Sequence, residues 1–294
     1  MLDRPDHGLM TTSEVAAYLR IKERTIYDMV ARQQLPFTRA SGKLLFPRRI
    51  IDAWLEGQTE LPAARFAPTP MIAAGSSEPL LEWALRQSGA GLAILTNGSR
   101  HGIEELSAGR AMIAGTHLID PESGRYNISA VRNLLPYPDI LMIHWANRVQ
   151  GLLMARGNPH AVASLRDVAA RGLRFATRGQ GAGSQVLLDM LLAREGLTLA
   201  DLNLAARVAE SHGDMATMIE MGEADCGLGL NISSLSFLPL WQAEEFDLVM
   251  RRRDYFEPPM QKLLAFAKTD AFLRRAQHLT GYDISRLGEV RLNA

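Results

Sequence analysis

Short β-like runs alternate with amphipathic helical stretches from residue 71 to residue 230, and few folds accommodate such an alternation. "MIAAG" (71–75) leads into "EPLLEWALRQ", "GLAILT" (91–96) into "HGIEELSAG", and "AMIAG" (111–115) into a loop and "NISAVRNLL". After the long bipartite run "DILMIHWANRVQGLLMARG", "LRFATR" (173–178) precedes a glycine-rich turn and an apolar helix, and "ADCGLGL" follows the helix "HGDMATMIEMGE". Strands and helices in this order build parallel sheets covered by helices. Ligands of such sheets gather outside the C-terminal ends of strands, at helix N-termini. Three strand exits carry small hydroxyl, amide or glycine residues: "GSSEP" (75–79), "TNGSRHG" (96–102) and "TRGQGAGSQ" (177–185). Any one of them reads as an ordinary turn. Together they point to a site for a small anion or polar ligand.

The third exit excludes two familiar chemistries. "GQGAGS" has no lysine after it, so it is not a nucleotide-hydrolysing P-loop. Ser184 stands where a dinucleotide fingerprint needs its third glycine, and no ribose-binding acid follows at the right distance. What remains is a helix start with Arg178 and Ser184 beside it, suited to a compact oxyanion.

The first sixty residues are built differently. Between Arg20 and Arg49 there are eight basic residues and two acidic ones, a local excess of six positive charges. The whole chain, with 32 of each sign, is neutral, so the excess marks a local phosphate-contacting face. "TTSEVAAYL" opens with a capping residue and an early glutamate, and "RIKERTIYDMVARQQ" follows after a very short break. "LPFTRASGKLLF" reads as two strands around Ser41-Gly42, and "PRRIIDAWLEG" as a closing helix between Pro47 and Gly57. This layout resembles the winged helix-turn-helix of the excisionase and MerR-like DNA-binding family, over about residues 9–57. The resemblance implies that the second helix and the wing touch double-stranded DNA, which by position selects Lys22, Arg24, Thr25, Tyr27, Arg39 and Lys43. "QTELPAARFAPTP" (58–70), with three prolines, reads as a semi-rigid linker.

Other classes drop out. The single cysteine, Cys226, forms no internal disulfide and is most simply a small buried hydrophobe. No stretch approaches the length of a membrane span, and the first ten residues lack the apolar run of a signal peptide, so the expectation is a soluble cytoplasmic protein. No metal-ligand spacing is present and no base marks Ser184 as a nucleophile, so neither a metal, a cofactor nor an enzyme is expected. His117 is explained equally well as an anion donor or a structural histidine, and His212 reads first as a helix cap. His144 and Trp145 read as packing residues of a crossing strand, and "RRRDYF" (251–256) as a solvated strand end.

A second resemblance covers residues 68–294. "AMIAGTHLIDPESGRYN", "VQGLLMARGNP", "RFATRGQGAGSQVLLDMLL", "ESHGDMATMIEMGEADCGLGL" and "LTGYDISRLGEV" are similar to the periplasmic-binding-protein-like domain of cytoplasmic regulators and molybdenum-cofactor proteins. In fold that domain is related to type II solute-binding proteins, notably those for molybdate and tungstate. The fold class implied is α/β: a small N-terminal winged helix-turn-helix (1–57), a linker (58–70) and a two-lobed type II periplasmic-binding-protein-like domain (71–294). The second lobe spans about 151–245, entered near "HWANRVQGLLMARG" and left near "EEFDLVMRRRDYF". The resemblance implies a ligand closed between lobes, with Ser76, Ser77, Asn97 and Ser99 on the first and Arg178, Gly183, Ser184 and Gln185 on the second. Relatives commonly read Gly-Thr-Arg where this chain has "GSQ" (183–185), which leaves the ligand's charge open. The implied protein is a one-component, homodimeric transcription regulator sensing molybdate or tungstate. The alternatives are the same regulator sensing an organic or polar metabolite, and a cytoplasmic binding protein that does not engage DNA.

Overall fold

The computed structural model describes residues 8–40, 42–58, 68–135, 139–179, 182–231 and 235–294. Ser41 of the wing turn and residues 59–67 of the expected linker lie outside the described residues. The chain divides into two compact units, residues 1–66 and 67–294.

In the first unit, β1 (Leu9–Met10) precedes α1 (Thr12–Leu19) and α2 (Glu23–Ala31). β2 (Thr38–Ala40) and β3 (Lys43–Pro47) pair antiparallel, and α3 (Arg48–Gly57) closes the unit. Thr11 and Glu14 form a reciprocal capping box at the start of α1, which satisfies two of the orphan N–H groups there. Arg20, in the left-handed conformation at φ 55°, ends α1 and turns the chain into α2 within three residues. Apolar residues at helical spacing, Val15 and Ala16 from α1 and Ile26 and Val30 from α2, meet Phe46 and Ile51 in one small core. β1 adds a third strand by pairing with β3, Leu9 opposite Pro47. A two-residue strand of this kind exists only because a partner edge is there to receive it.

The second unit is one mixed ten-stranded sheet with helices on it. β4 (Ile72–Gly75), β5 (Ala93–Thr96) and β6 (Ile113–Thr116) are parallel and alternate with α4 (Pro79–Gln87) and α5 (Ser99–Ser107). α6 (Ile128–Leu134) then leads into β7 (Ile140–Met154), and α7 (Leu165–Ala170) into β8 (Arg174–Ala176). α8 (Gly183–Arg194), β9 (Asn203–Leu204), α9 (His212–Glu220) and β10 (Cys226–Leu230) complete the second set of alternations. β11 (Ser236–Arg251) returns antiparallel to β7 along almost its whole length. Last come α10 (Arg252–Tyr255), α11 (Pro258–Phe266), α12 (Asp270–Gln277), β12 (Tyr282–Asp283) and β13 (Val290–Asn293).

The strand order β5-β4-β6-β11-β7-β10-β8-β9 explains the two lobes. The 15 residues of β7 reach roughly 50 Å at ordinary strand rise, enough to serve both. Their first half pairs with the end of β11 beside β6, and their second half with the start of β11 beside β10. Between the halves the register of β11 slips three times, from Pro239 to Asp247, which is where the two strands cross from lobe to lobe. Each lobe has its own core. Trp145, Phe246, Leu80 and Phe272 anchor the first, and Phe175, Leu187, Leu192 and Leu228 the second. Gly75 ends β4 at φ 112°, a backbone state closed to other residues, and lies against Gly115 and Gly102 too closely for any side chain. That close approach sets the exit of β4 tight against the start of the next layer. Among the described residues no helix is long and apolar enough to cross a membrane.

Candidate functional site

The first unit presents a groove of about 440 Å³ lined by Thr11, Thr12 and Ser13 of the α1 start, Tyr27 of α2, and Arg39, Lys43 and their neighbours on β2 and β3. Lys22 is the N-cap of α2 and Arg24 and Thr25 fall in its first turn, all exposed. Ile26 and Val30 turn the other face of the helix into the core, so Lys22, Arg24, Thr25 and Tyr27 stand on its solvent side. The structure therefore brings Tyr27, Arg39 and Lys43 to one groove, and leaves Lys22, Arg24 and Thr25 further along the helix face. The capped start of α1 joins this groove; a Thr-Thr-Ser run preceding a helix is a signal for it.

In the second unit, a cleft of about 420 Å³ lies between Thr96, Asn97 and Gly98 of the first lobe and Arg178, Gly179, Ala182 and residues 208–210 of the second. Gln180 and Gly181 lie outside the described residues. Two helices begin at this cleft, α5 after Gly98 and α8 after Ala182, and neither has a side-chain cap. Elsewhere in this unit α4, α7, α9 and α12 are capped by Glu78, Ser164, Ser211 and Thr269, while α6, α10 and α11 also lack a side-chain cap but do not start at the cleft. An uncapped helix start offers orphan N–H groups and a partial positive charge to an anion. Arg178 donates from one terminal nitrogen to the Glu210 carbonyl at 2.9 Å, while its buried Nε has no partner. Burial lowers the pKa of this guanidinium, with Asp214 pulling the other way and Arg148 adding to the fall.

Behind the cleft is a buried polar floor. Ser76 and Ser99 share a hydrogen bond of 2.8 Å, and Ser99 accepts the His117 amide at 3.1 Å. His117 Nδ1 lies 2.6 Å from Glu244 Oε1, and Arg148 holds the other carboxylate oxygen with Nε at 2.9 Å and a terminal nitrogen at 2.7 Å. Gln150 also donates to Glu244. Arg148 and Glu244 are opposite each other on β7 and β11 where the strands cross, so the ion pair sits on the hinge. His212 is buried at the first position of α9 with Nδ1 unpartnered, and Ser184 is buried in the first turn of α8 with Oγ unpartnered. Gly183 packs directly on His117: a Cβ there would lie 2.6 Å from the His117 carbonyl oxygen and 2.7 Å from Nδ1. Only glycine lets the second lobe approach the first this closely.

Burial alone would raise the Glu244 carboxyl, but the Arg148 guanidinium, with His117 beside it, holds it down at about 2. Burial pushes His117 below its ordinary value more strongly than Glu244 pulls it up, so the neutral ring donates Nδ1–H to the carboxylate. His212 is driven well below its ordinary value by burial and by the Arg178 and Arg148 charges. The floor is thus an internally balanced ion pair flanked by two neutral imidazoles, and Arg178 is the cation that faces the cleft. Such an arrangement can hold an anion through dipoles and one guanidinium. Ser184 has the setting of a nucleophile but no base bonded to it.

Of the residues expected from sequence, Ser76, Ser99, Gly183 and Ser184 gather on the floor, and Asn97 and Arg178 at the cleft. Ser77 is turned aside, donating to Glu82 at 2.7 Å, and Gln185 donates along its own helix to Asp189 at 3.1 Å. His117 and His212, which the sequence leaves between a structural and a ligand-facing reading, lie on this floor, and Arg148, Gln150 and Glu244 join it without having been singled out. The signal of those three is polar and charged residues inside apolar strands, in "HWANRVQGLLM" and "EEFDLVM". Among the described residues no group of three or more His, Cys, Asp or Glu side chains could hold a metal ion.

Known proteins resemble both units. A family model described as the PBP superfamily domain matches residues 81–268, more than half of the chain, and a helix-turn-helix domain model matches residues 9–59. The uncharacterized protein YvgK of Bacillus subtilis (strain 168) is 25% identical over 305 residues, covering 96% of this chain and 97% of its own. Among solved structures, a putative phosphate ABC transporter substrate-binding protein with bound phosphate, from Clostridium perfringens, has a TM-score of 0.51 at 11% identity. It covers 75% of this chain and 99% of its own. CbnR, a LysR family transcriptional regulator, has a TM-score of 0.44 at 13% identity, covering 88% of this chain and 93% of its own.

Proposed function

The chain belongs to the PBP superfamily, and from that premise we propose that it is a one-component transcription regulator whose second unit senses a small oxyanion, molybdate or tungstate foremost. A helix-turn-helix domain ahead of a ligand-binding domain is the architecture of a DNA-binding regulator. The observation that carries the choice of ligand is the pair of uncapped helix starts, α5 and α8, opening on one cleft beside Arg178. Orphan N–H groups, the Arg178 Nε and the Ser184 hydroxyl are all donors, and a tetrahedral dianion presents only acceptors. The acidic partner of Arg148 is already spent on it, so Glu244 offers no charge to repel the ligand outright. Selection against sulfate rests on how far apart the donors stand once they have closed around the anion, because molybdate and tungstate have longer bonds to oxygen.

Closure on the ligand brings Gly183 against His117, and the DNA-bound and free populations shift by the difference in ligand affinity between them. Lys22, Arg24, Thr25, Tyr27, Arg39 and Lys43 contact the operator as a homodimer in the cytoplasm. The chain binds rather than catalyses. A second reading, an organic or polar metabolite as effector, is favoured by Gln185 standing where relatives carry arginine.

Calorimetric titration with molybdate, tungstate, sulfate and phosphate tests the choice. Tight binding of the first two, weakened at least tenfold by Arg178→Ala, is the expected result. Silence with all four removes the oxyanion reading and leaves the metabolite reading.

A further inference from the structure

A second pocket lies where the crossing strands meet the C-terminal segment. It holds about 620 Å³ and shares no lining residue with the cleft. β12 forms one wall by pairing with β7, Tyr282 opposite Arg148 and Asp283 opposite Asn147. Tyr126, at the end of the loop that follows β6, forms another.

Two side chains of this lining are fully or almost fully buried and carry unmet donors. Tyr126 is 2% exposed; the Trp241 indole N–H, a donor, neighbours its phenol oxygen, and its own proton has no acceptor. Arg148 spends Nε and one terminal nitrogen on Glu244; its other terminal nitrogen has no hydrogen bond and lies 4.0 Å from the nearest Glu78 oxygen. Burial raises the Tyr126 phenol, so its proton stays available to donate. Buried polar atoms in folded proteins are nearly always bonded, so two donors in the lining of one pocket point to an acceptor that enters it.

The charges and the walls narrow that acceptor. Arg148 is faced by Glu244 and Glu78, and Glu245 is held by Arg286 and Arg291. The lining itself carries Arg125, Arg148 and Arg286 against Glu245 and Asp283, a surplus of one positive charge that a dianion would exceed. A monoanion is admitted at lower cost, and Arg125, exposed at the edge, favours it. The rings of Tyr126 and Tyr282 and the Val149 side chain supply apolar wall. The volume is that of a small-molecule site and leaves most of its space unfilled around a compact oxyanion.

We infer that this pocket is a second ligand site, taking a small organic monocarboxylate with a ring or short apolar body, its carboxylate on Tyr126 and Arg148. The inference stands apart from the oxyanion reading, since no residue lines both pockets.

The test is calorimetric titration of the full chain with benzoate, phenylacetate and cyclohexanecarboxylate, with benzamide as the uncharged control. At least one carboxylate is expected to bind, benzamide far more weakly, and Tyr126→Phe to lower the affinity by about tenfold or more. Arg178→Ala, a cleft substitution, is expected to leave that affinity unchanged, as is saturation with molybdate. Absence of binding by all three at millimolar concentration overturns the site. So does binding that Tyr126→Phe leaves intact, or binding that Arg178→Ala or molybdate abolishes, which would assign the ligand to the cleft. Failure of molybdate to bind, with the carboxylate result as expected, would remove the oxyanion reading alone.

Discussion

Gly183→Ala separates closure of the cleft from stability of the fold. Gly183 is the first residue of α8 and has no positive φ, so alanine fits its backbone. Alanine also has the higher helix propensity, a gain of up to about 1 kcal/mol where space allows. The new Cβ, however, would lie 2.6 Å from the His117 carbonyl oxygen, well inside an ordinary contact, and 2.7 Å from the ring nitrogen bonded to Glu244. Neither atom can yield freely, because one is backbone and the other is fixed by a buried carboxylate. The lobes must part at this point, and overpacking of this kind costs roughly 1–3 kcal/mol. The cost falls only on the closed arrangement, which predicts a loss of oxyanion affinity of about 5- to 150-fold. Denaturant unfolding of the unliganded variant should match the parent within about 1 kcal/mol, since the open arrangement relieves the clash. Unchanged affinity in calorimetry would refute the argument, and so would a loss of stability equal to the loss of affinity.

Acid should reveal the hinge ion pair. The Glu244 carboxyl falls from an ordinary 4.5 to about 2, which contributes on the order of 3 kcal/mol of stability. Its folded pKa is depressed, so this contribution is present above about pH 4.5 and is lost as pH falls toward about 2. Unfolding free energy measured across that window should drop in the parent, and Glu244→Gln should be less stable at neutral pH with a flatter profile. At the DNA face, Arg39→Ala combined with Lys43→Ala should weaken binding to any sequence and lower the slope of log affinity against log salt by about two, read by fluorescence anisotropy. Burial pushes the Cys226 thiol up to about 12, so a thiol reagent at neutral pH should leave the native protein unlabelled and react once it is denatured.

The elements legible in the sequence are those whose own residues carry the pattern. Val15 and Ala16 against Ile26 and Val30 give the helix pair, and the "IAAG", "AILT" and "IAGT" segments with their helices give the first lobe. The β1, β12 and β13 strands are not legible, since each is made by a partner edge far away in sequence: β12 and β13 pair with β7 more than a hundred residues earlier. The site divides the same way. Glycine and hydroxyl residues at strand exits announce Ser76, Ser99, Arg178 and Ser184, because turn chemistry is local. Arg148 and Glu244 form their ion pair across 96 residues, and each alone looks like a stray charge in an apolar run. His117 fits two readings in the sequence, and only its hydrogen bond to Glu244 and its contact with Gly183 give it a place.

The central claim is that an oxyanion held between the lobes controls a DNA-binding unit, and the most direct measurement couples the two. Genomic fragments retained by the purified protein supply the operator, and its affinity is read by fluorescence anisotropy without added anion, with molybdate, and with sulfate. The account predicts a change of at least fivefold with molybdate, none with sulfate, and none with molybdate in Arg178→Ala. Equal affinity under all conditions, from a protein that binds molybdate in calorimetry, would contradict it.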